Sequence, residues 1–191
     1  ASVALIVGSE QIISALFGYG SFDELSVSNS ANALYYFGLG LPAFALIKVF
    51  STFFFANQDT KTPFYISLFS VILNILISVY FFREIGFIII PIATTISSWF
   101  NAIILFVYLK NKDLFNFNEL FFAKLIKILL ASILMGIFFN YLILFFENKL
   151  IYEYNFKSFY LILSAFLSLI FYLSFSLFIK AFKYGDIKLK Y

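Results

Sequence analysis

The sequence predicts an all-α fold, a polytopic bundle of transmembrane helices, and three observations predict it. Hydrophobic residues make up 63% of the 191 and charged residues only 12%, against roughly 45 to 50% apolar content in soluble domains, and the mean hydropathy is +0.98. The apolar residues fall in blocks of about 20 or more, the length that crosses a hydrocarbon core of roughly 30 Å as a helix. Alternating ten-residue segments of the kind a membrane barrel uses do not occur. The expected count is five full spans plus one truncated span.

Residues 1 to 17 read as the tail of that truncated span. Residue 1 is Ala and the apolar run is already under way with no charged segment before it, unlike a signal peptide, so the chain reads as a fragment. Gly18, Gly20 and Ser21 break the run, and the polar loop that follows carries Asp23 and Glu24. Ser28, Asn29 and Ser30 offer N-caps for a span over residues 31 to 55. Gly38, Gly40 and Pro42 lie within it and predict a kink or a close helix contact.

Asn57, Gln58, Asp59 and Thr60 end that span. Thr62 is placed to cap the next, and Pro63 fits its first turn, where a missing N–H costs nothing. The span over residues 63 to 82 ends at a short turn, Arg83 to Gly86, which forces an antiparallel neighbour over residues 87 to 109. That neighbour carries Pro91, Thr94, Thr95, Ser97, Ser98 and Asn101, a content that suits packing on protein more than on lipid. A charged linker over residues 110 to 122 can lie along the membrane surface. Two plainer spans follow, at about residues 121 to 146 and 158 to 182, then a basic tail. By organisation, residues 1 to 109 hold the truncated span and three full spans, residues 110 to 122 the linker, and residues 123 to 191 two additional helices and the tail.

The 30 Phe and 13 Tyr occur in every apolar block and read as lipid-facing bulk from a biased composition. The absence of Cys and His rules out thiolate and imidazole metal sites, Cys or His nucleophiles and disulfides. No paired intramembrane carboxylates and no phosphate-cradling glycine loop occur, so no catalytic residue, metal or cofactor is expected and the chain does not read as an enzyme. The net charge of +3 comes from loop lysines, which attract anionic lipid and do not call for nucleic acid.

Those lysines predict orientation. Nine of the 13 basic residues (Lys61, Lys110, Lys112, Lys124, Lys127, Lys180, Lys183, Lys188 and Lys190) fall in one set of loops, and Arg83, Lys149 and Lys157 in the other. By the positive-inside rule the 57–62 turn, the 110–122 linker and the C-terminus are cytoplasmic.

Lys48 stands alone in an apolar run, about 12 Å of helix rise from the 57–62 turn. It either snorkels to the surface or faces a polar cavity and attracts an anionic substrate. Asn74 and Ser78, one helical turn apart, can meet Thr94 on the antiparallel partner. These oxygens serve either inter-helix hydrogen bonding or, with a carbonyl freed by Pro91, sodium ligation. Asp59, Lys61 and Thr62 read by residue type as helix punctuation with a basic flank.

Gly40-Leu-Pro-Ala-Phe, Lys48-Val-Phe, Phe54-Phe-Ala and Asp59-Thr-Lys-Thr-Pro63, with Leu16-Phe17, Gly20 and Phe22 upstream, closely resemble the MurJ (MviN) family of lipid II flippases. The motifs cover residues 16 to 63; beyond them the resemblance rests on helix order and length. The resemblance implies the MOP exporter superfamily, with two six-helix lobes around a central cavity and two further helices. It also implies movement of an undecaprenyl-linked peptidoglycan precursor across the bacterial inner membrane by alternating access, in cell wall biogenesis. On that pattern the chain begins in the ninth helix, residues 1 to 109 are the C-terminal part of the second lobe, and its partner is the N-terminal lobe of the same protein. Lys48, Asp59, Lys61 and Thr62 become candidate substrate-binding or gating residues. Asn74, Ser78 and Thr94 become candidate cation-binding residues, with Ser78 where a carboxylate would help, and coupling is to sodium or to the membrane potential. Two alternatives stay open: another MOP-type exporter, of a lipid-linked oligosaccharide or a drug, and a scaffold subunit that transports nothing.

Overall fold

The computed structural model describes residues 1–112 and 119–181, the first three of the second range by backbone alone. Residues 113–118 of the predicted linker and 182–191 of the basic tail lie outside the described residues. The described residues are helical, with no strand among them: α1 Ser2–Val7, α2 Ser9–Phe17, α3 Glu24–Ala56, α4 Lys61–Ile85, α5 Ile89–Asn111, α6 Glu119–Phe145, α7 Glu147–Leu150 and α8 Lys157–Phe178. Four stretches are long and apolar enough to cross a membrane: Glu24–Ala56, Lys61–Asn111, Phe122–Phe145 and Lys157–Phe178. The second is folded back on itself as α4 and α5. Large apolar side chains such as Phe64, Tyr65, Val79, Tyr80 and Phe178 face outward, an exterior suited to hydrocarbon and not to water. This is an all-α, multi-pass membrane protein.

Two compact units are present. One comprises residues 29–116. Its α4 and α5 form an antiparallel hairpin turned by a single 3-10 turn, Gly86–Ile88. The ring of Phe69 stands against Phe100 at 5.7 Å, and further along Asn74 meets Thr94. Gly86, at φ 73° and ψ −152°, takes a positive-φ conformation that only glycine adopts readily and so closes the turn. Pro91 is the third residue of α5, within the first turn, where helices need no N–H. The carbonyl four residues before it, on Phe87, already accepts the Ile89 N–H. The Ile89 N–H is shared between that carbonyl and the carbonyl of Gly86.

α3 runs through Pro42 without a break. The close contact expected near Gly40 is present: a Cβ on Gly40 would lie 2.9 Å from Thr95 Oγ1. Thr95 Oγ1 donates to the Tyr36 carbonyl at 2.7 Å, and Trp99 Nε1 donates to the Leu39 carbonyl at 3.0 Å. Two side chains of α5 thus hold carbonyls of α3 just before the proline. Phe50, Phe54, Ile66, Leu105 and Leu109 form the core beneath.

The other unit comprises residues 3–28 and 117–191, so the first short helices pack with the last ones. α6 and α8 run antiparallel, with the rings of Phe138 and Phe171 stacked at 4.6 Å. Buried Ser164 and Ser168 let α8 approach closely, each returning its hydroxyl proton to a carbonyl one turn back. Ala15, Phe139, Ile143, Leu150 and Leu161 form the core.

Residues 1–17 are two helices and not one continuous tail. The break falls at Gly8, where a Cβ would sit 2.6 Å from the Phe139 ring. The start of α3 also differs from the sequence reading. The helix begins at Glu24 and not near residue 31, because the carboxylate of Asp23 accepts the Ser26 N–H at 2.9 Å and caps it. Ser28, Asn29 and Ser30 lie inside the helix.

Candidate functional site

The turn between α3 and α4 is built around Asp59. α3 ends with Gln58 in the left-handed region, φ 60°. The Gln58 N–H bonds the Phe55 carbonyl and the Asp59 N–H bonds the Phe54 carbonyl, at 3.0 and 2.9 Å. These are the paired bonds of a Schellman ending, with Gln58 where glycine is usual. The Asp59 carboxylate then starts the next helix: Oδ1 accepts the Thr62 N–H at 3.0 Å and Oδ2 accepts the Thr62 hydroxyl at 2.7 Å. Asp59 is thus the cap and Thr62 its donor, the reverse of the role expected of Thr62. A capping carboxylate also favours the positive end of the helix dipole.

Lys112, just past the end of α5, donates to Asp59 Oδ2 at 2.7 Å. Its ammonium lies 5.9 Å from the Phe54 ring centroid. The Lys112 hydrogen bond, followed by the two from Thr62, holds the Asp59 carboxyl far below the usual carboxylate range. Asp59 is therefore an anion at neutral pH that joins three helix ends. Lys61, the first residue of α4, is exposed.

Lys48 lies on α3 and is exposed. The described residues offer it neither an ion pair nor a hydrogen bond. An uncompensated ammonium on an apolar helix is a point of attraction for an anion. The structure does not bring it to the Asp59 cluster, which already has its own cation.

Asn74, Ser78 and Thr94 do meet, inside the α4–α5 hairpin. Asn74 Nδ2 donates to Thr94 Oγ1 at 3.1 Å and to Ser97 Oγ at 3.3 Å, and Ser78 Oγ stands 3.5 Å from Asn74 Oδ1. The hydroxyls of Thr94 and Ser97 pass their own protons to the carbonyls of Ile90 and Thr94. This is a polar seam zipped by neutral groups. Asn74, Thr94 and Ser97 of this seam, though not Ser78, line a cavity of about 340 Å³ together with Ser67, Ser70, Ser98 and Asn101. The seam has oxygens for a cation but no negative charge, and among the described residues no cluster of acidic ligands suits a metal ion.

A family model described as lipid II flippase MurJ matches residues 1–164. The chain belongs to the MurJ lipid II flippase family. Among curated MurJ relatives, the probable lipid II flippase of Rickettsia prowazekii is 36% identical over 140 residues, 72% of this chain and 27% of that protein. The probable flippase of Rhizobium meliloti is 39% identical over 109 residues, 57% of this chain and 20% of that protein. That of Thermotoga maritima is 36% identical over 135 residues, 71% of this chain and 27% of that protein. The chain spans about a quarter of the length of these MurJ relatives.

Two lysines of this MurJ chain have roles that the sequence reading missed. In the sequence Lys112 is only a loop charge, and its partner lies 53 positions away. Lys157 likewise reads as an outer-loop charge, yet it is fully buried. Neither residue type nor spacing signals these pairings. Only the aromatic neighbours of Lys157, at Tyr152, Tyr154 and Phe156, hint at a lysine held among rings.

Proposed function

We propose that this chain is part of a lipid II flippase, a transporter and not an enzyme. The full-length protein moves undecaprenyl-linked peptidoglycan precursor across the bacterial inner membrane by alternating access. The observation that carries the reading is the family match over residues 1–164. Lys48, exposed on an apolar helix and unpaired among the described residues, supports it, because the diphosphate of the precursor is anionic. The remainder of the full-length protein supplies the other lobe and the rest of the cavity.

In this reading the Asp59 turn and the residues near Lys112 face the cytoplasm, since nine of 13 basic residues fall on that side of the alternating helices. Asp59, Lys61 and Thr62 form the pivot at which α3 and α4 change angle, with Lys61 free to meet lipid headgroups. Of the two couplings left open by the sequence, the membrane potential suits these residues better. The Asn74 seam has no charge with which to hold sodium in a low dielectric.

The test is depletion of the full-length protein in its host, with lipid II measured on each leaflet. Accumulation on the cytoplasmic leaflet, rescued by wild type and not by Lys48→Gln, is the expected result. Unchanged lipid II would overturn the reading and favour another exporter or a scaffold.

A further inference from the structure

Lys157 is the one fully buried charge among the described residues, at 0% exposure. Its Nζ donates to the Gly18 carbonyl at 2.6 Å and to the Tyr152 carbonyl at 2.7 Å. It also lies 4.4 Å from the ring centroid of Tyr19 and 4.5 Å from that of Tyr152. Two carbonyls and two π-faces replace the water that a lysine normally keeps.

The neighbours of Lys157 act on the same target. Ser158 Oγ donates its single proton to the Ala15 carbonyl at 2.6 Å. The Tyr19 hydroxyl, 2.7 Å from Ser158 Oγ, must therefore be the donor in that pair. The Tyr152 hydroxyl donates to the Phe22 carbonyl at 2.6 Å.

The last carbonyls of a helix have no partner within it. α2 ends at Phe17, and the carbonyls of Ala15, Gly18 and Phe22 at its exit all receive donors from residues 152–158. A cation at a helix C-terminus also suits the dipole. Gly18 is required for the fit: a Cβ there would lie 2.6 Å from the Ser14 carbonyl oxygen and 3.1 Å from the Tyr152 ring.

We infer that Tyr152, Lys157 and Ser158 form a latch that keeps the exit of α2 fastened to the start of α8 through the whole transport cycle. α2, α6 and α8 then travel as one body. The inference rests on the transport reading above for what the body does, though not for the existence of the latch. Opening it would take the Lys157 ammonium from its two carbonyls and two rings and leave the carbonyls of Ala15, Gly18 and Phe22 without their side-chain donors, which favours the closed state.

The test uses the full-length protein in membranes. Tyr19→Cys with Ser158→Cys, joined by a short bifunctional thiol crosslinker, should crosslink readily and then transport lipid II within twofold of the uncrosslinked protein. A tenfold or greater loss on crosslinking would overturn the latch, because it would mean that these ends must part. A second arm needs no transport. In Ala15→Cys, thiol labelling should be slow and should rise at least tenfold when Lys157→Met is added; equal labelling would overturn the latch. If wild type moves no lipid II, the flippase reading fails while the labelling arm still decides the latch.

Discussion

Lys112 Nζ stands 2.7 Å from Asp59 Oδ2, so the residue that ends α3 and caps α4 is also tied to the end of α5. The pair is partly open to solvent, and its worth lies in geometry more than in bulk Coulomb energy. Three helix ends meet at one carboxylate, and displacing it loosens all three.

This pairing predicts a particular pH dependence. Because the folded carboxyl of Asp59 is held below its ordinary value, its stabilisation is fully present above the unfolded pKa of about 4. It is lost as pH falls below that value toward the folded one. The melting temperature of detergent-solubilised protein should therefore drop more steeply below pH 4 for wild type than for Asp59→Asn. Parallel curves would refute the assignment. Added salt should narrow the gap between wild type and Lys112→Met.

At Gly40 the prediction concerns space. The Cβ of Gly40→Ala meets Thr95 Oγ1 at 2.9 Å but Thr95 Cα only at 3.5 Å. Overpacking here should cost about 1 to 3 kcal/mol, outweighing the helix-propensity gain. Adding Thr95→Ala removes the clashing oxygen, so the double variant should be more stable than the two single effects predict. Simple additivity in a denaturation series would show that the contact is not the cause.

For the Asn74 seam, charge is the missing ingredient. Ser78→Asp places a carboxylate beside Asn74 Oδ1, now 3.5 Å from the serine hydroxyl. The variant should gain thermal stability in sodium chloride over a potassium salt of equal ionic strength, whereas wild type should show no such difference. A sodium-specific shift in wild type would mean that the neutral oxygens suffice.

Lys48 separates folding from function. It is exposed and without a partner among the described residues, so Lys48→Gln should leave the melting temperature unchanged while abolishing rescue of lipid II export. Loss of stability together with activity would instead make Lys48 a structural residue.

Hydropathy is a local property, so the long apolar spans can be read, without the fold, from the sequence. The apolar blocks, the Asn57–Thr62 turn, the α4–α5 hairpin and the meeting of Asn74 with Thr94 were all legible in it. It also carried the family resemblance at Gly40, Lys48 and Asp59. Helix starts were less legible, since Asp23 and the serines at 28 and 30 are all competent caps and only the folded backbone chooses among them. Which charges are buried or paired depends instead on contacts between distant parts of the chain. Lys112 finds Asp59 across 53 positions and Lys157 finds Gly18 across 139. A lysine in a loop reads the same whether it meets water or a cage of carbonyls and rings. The difference arises from desolvation, which depends on what the rest of the chain places around it.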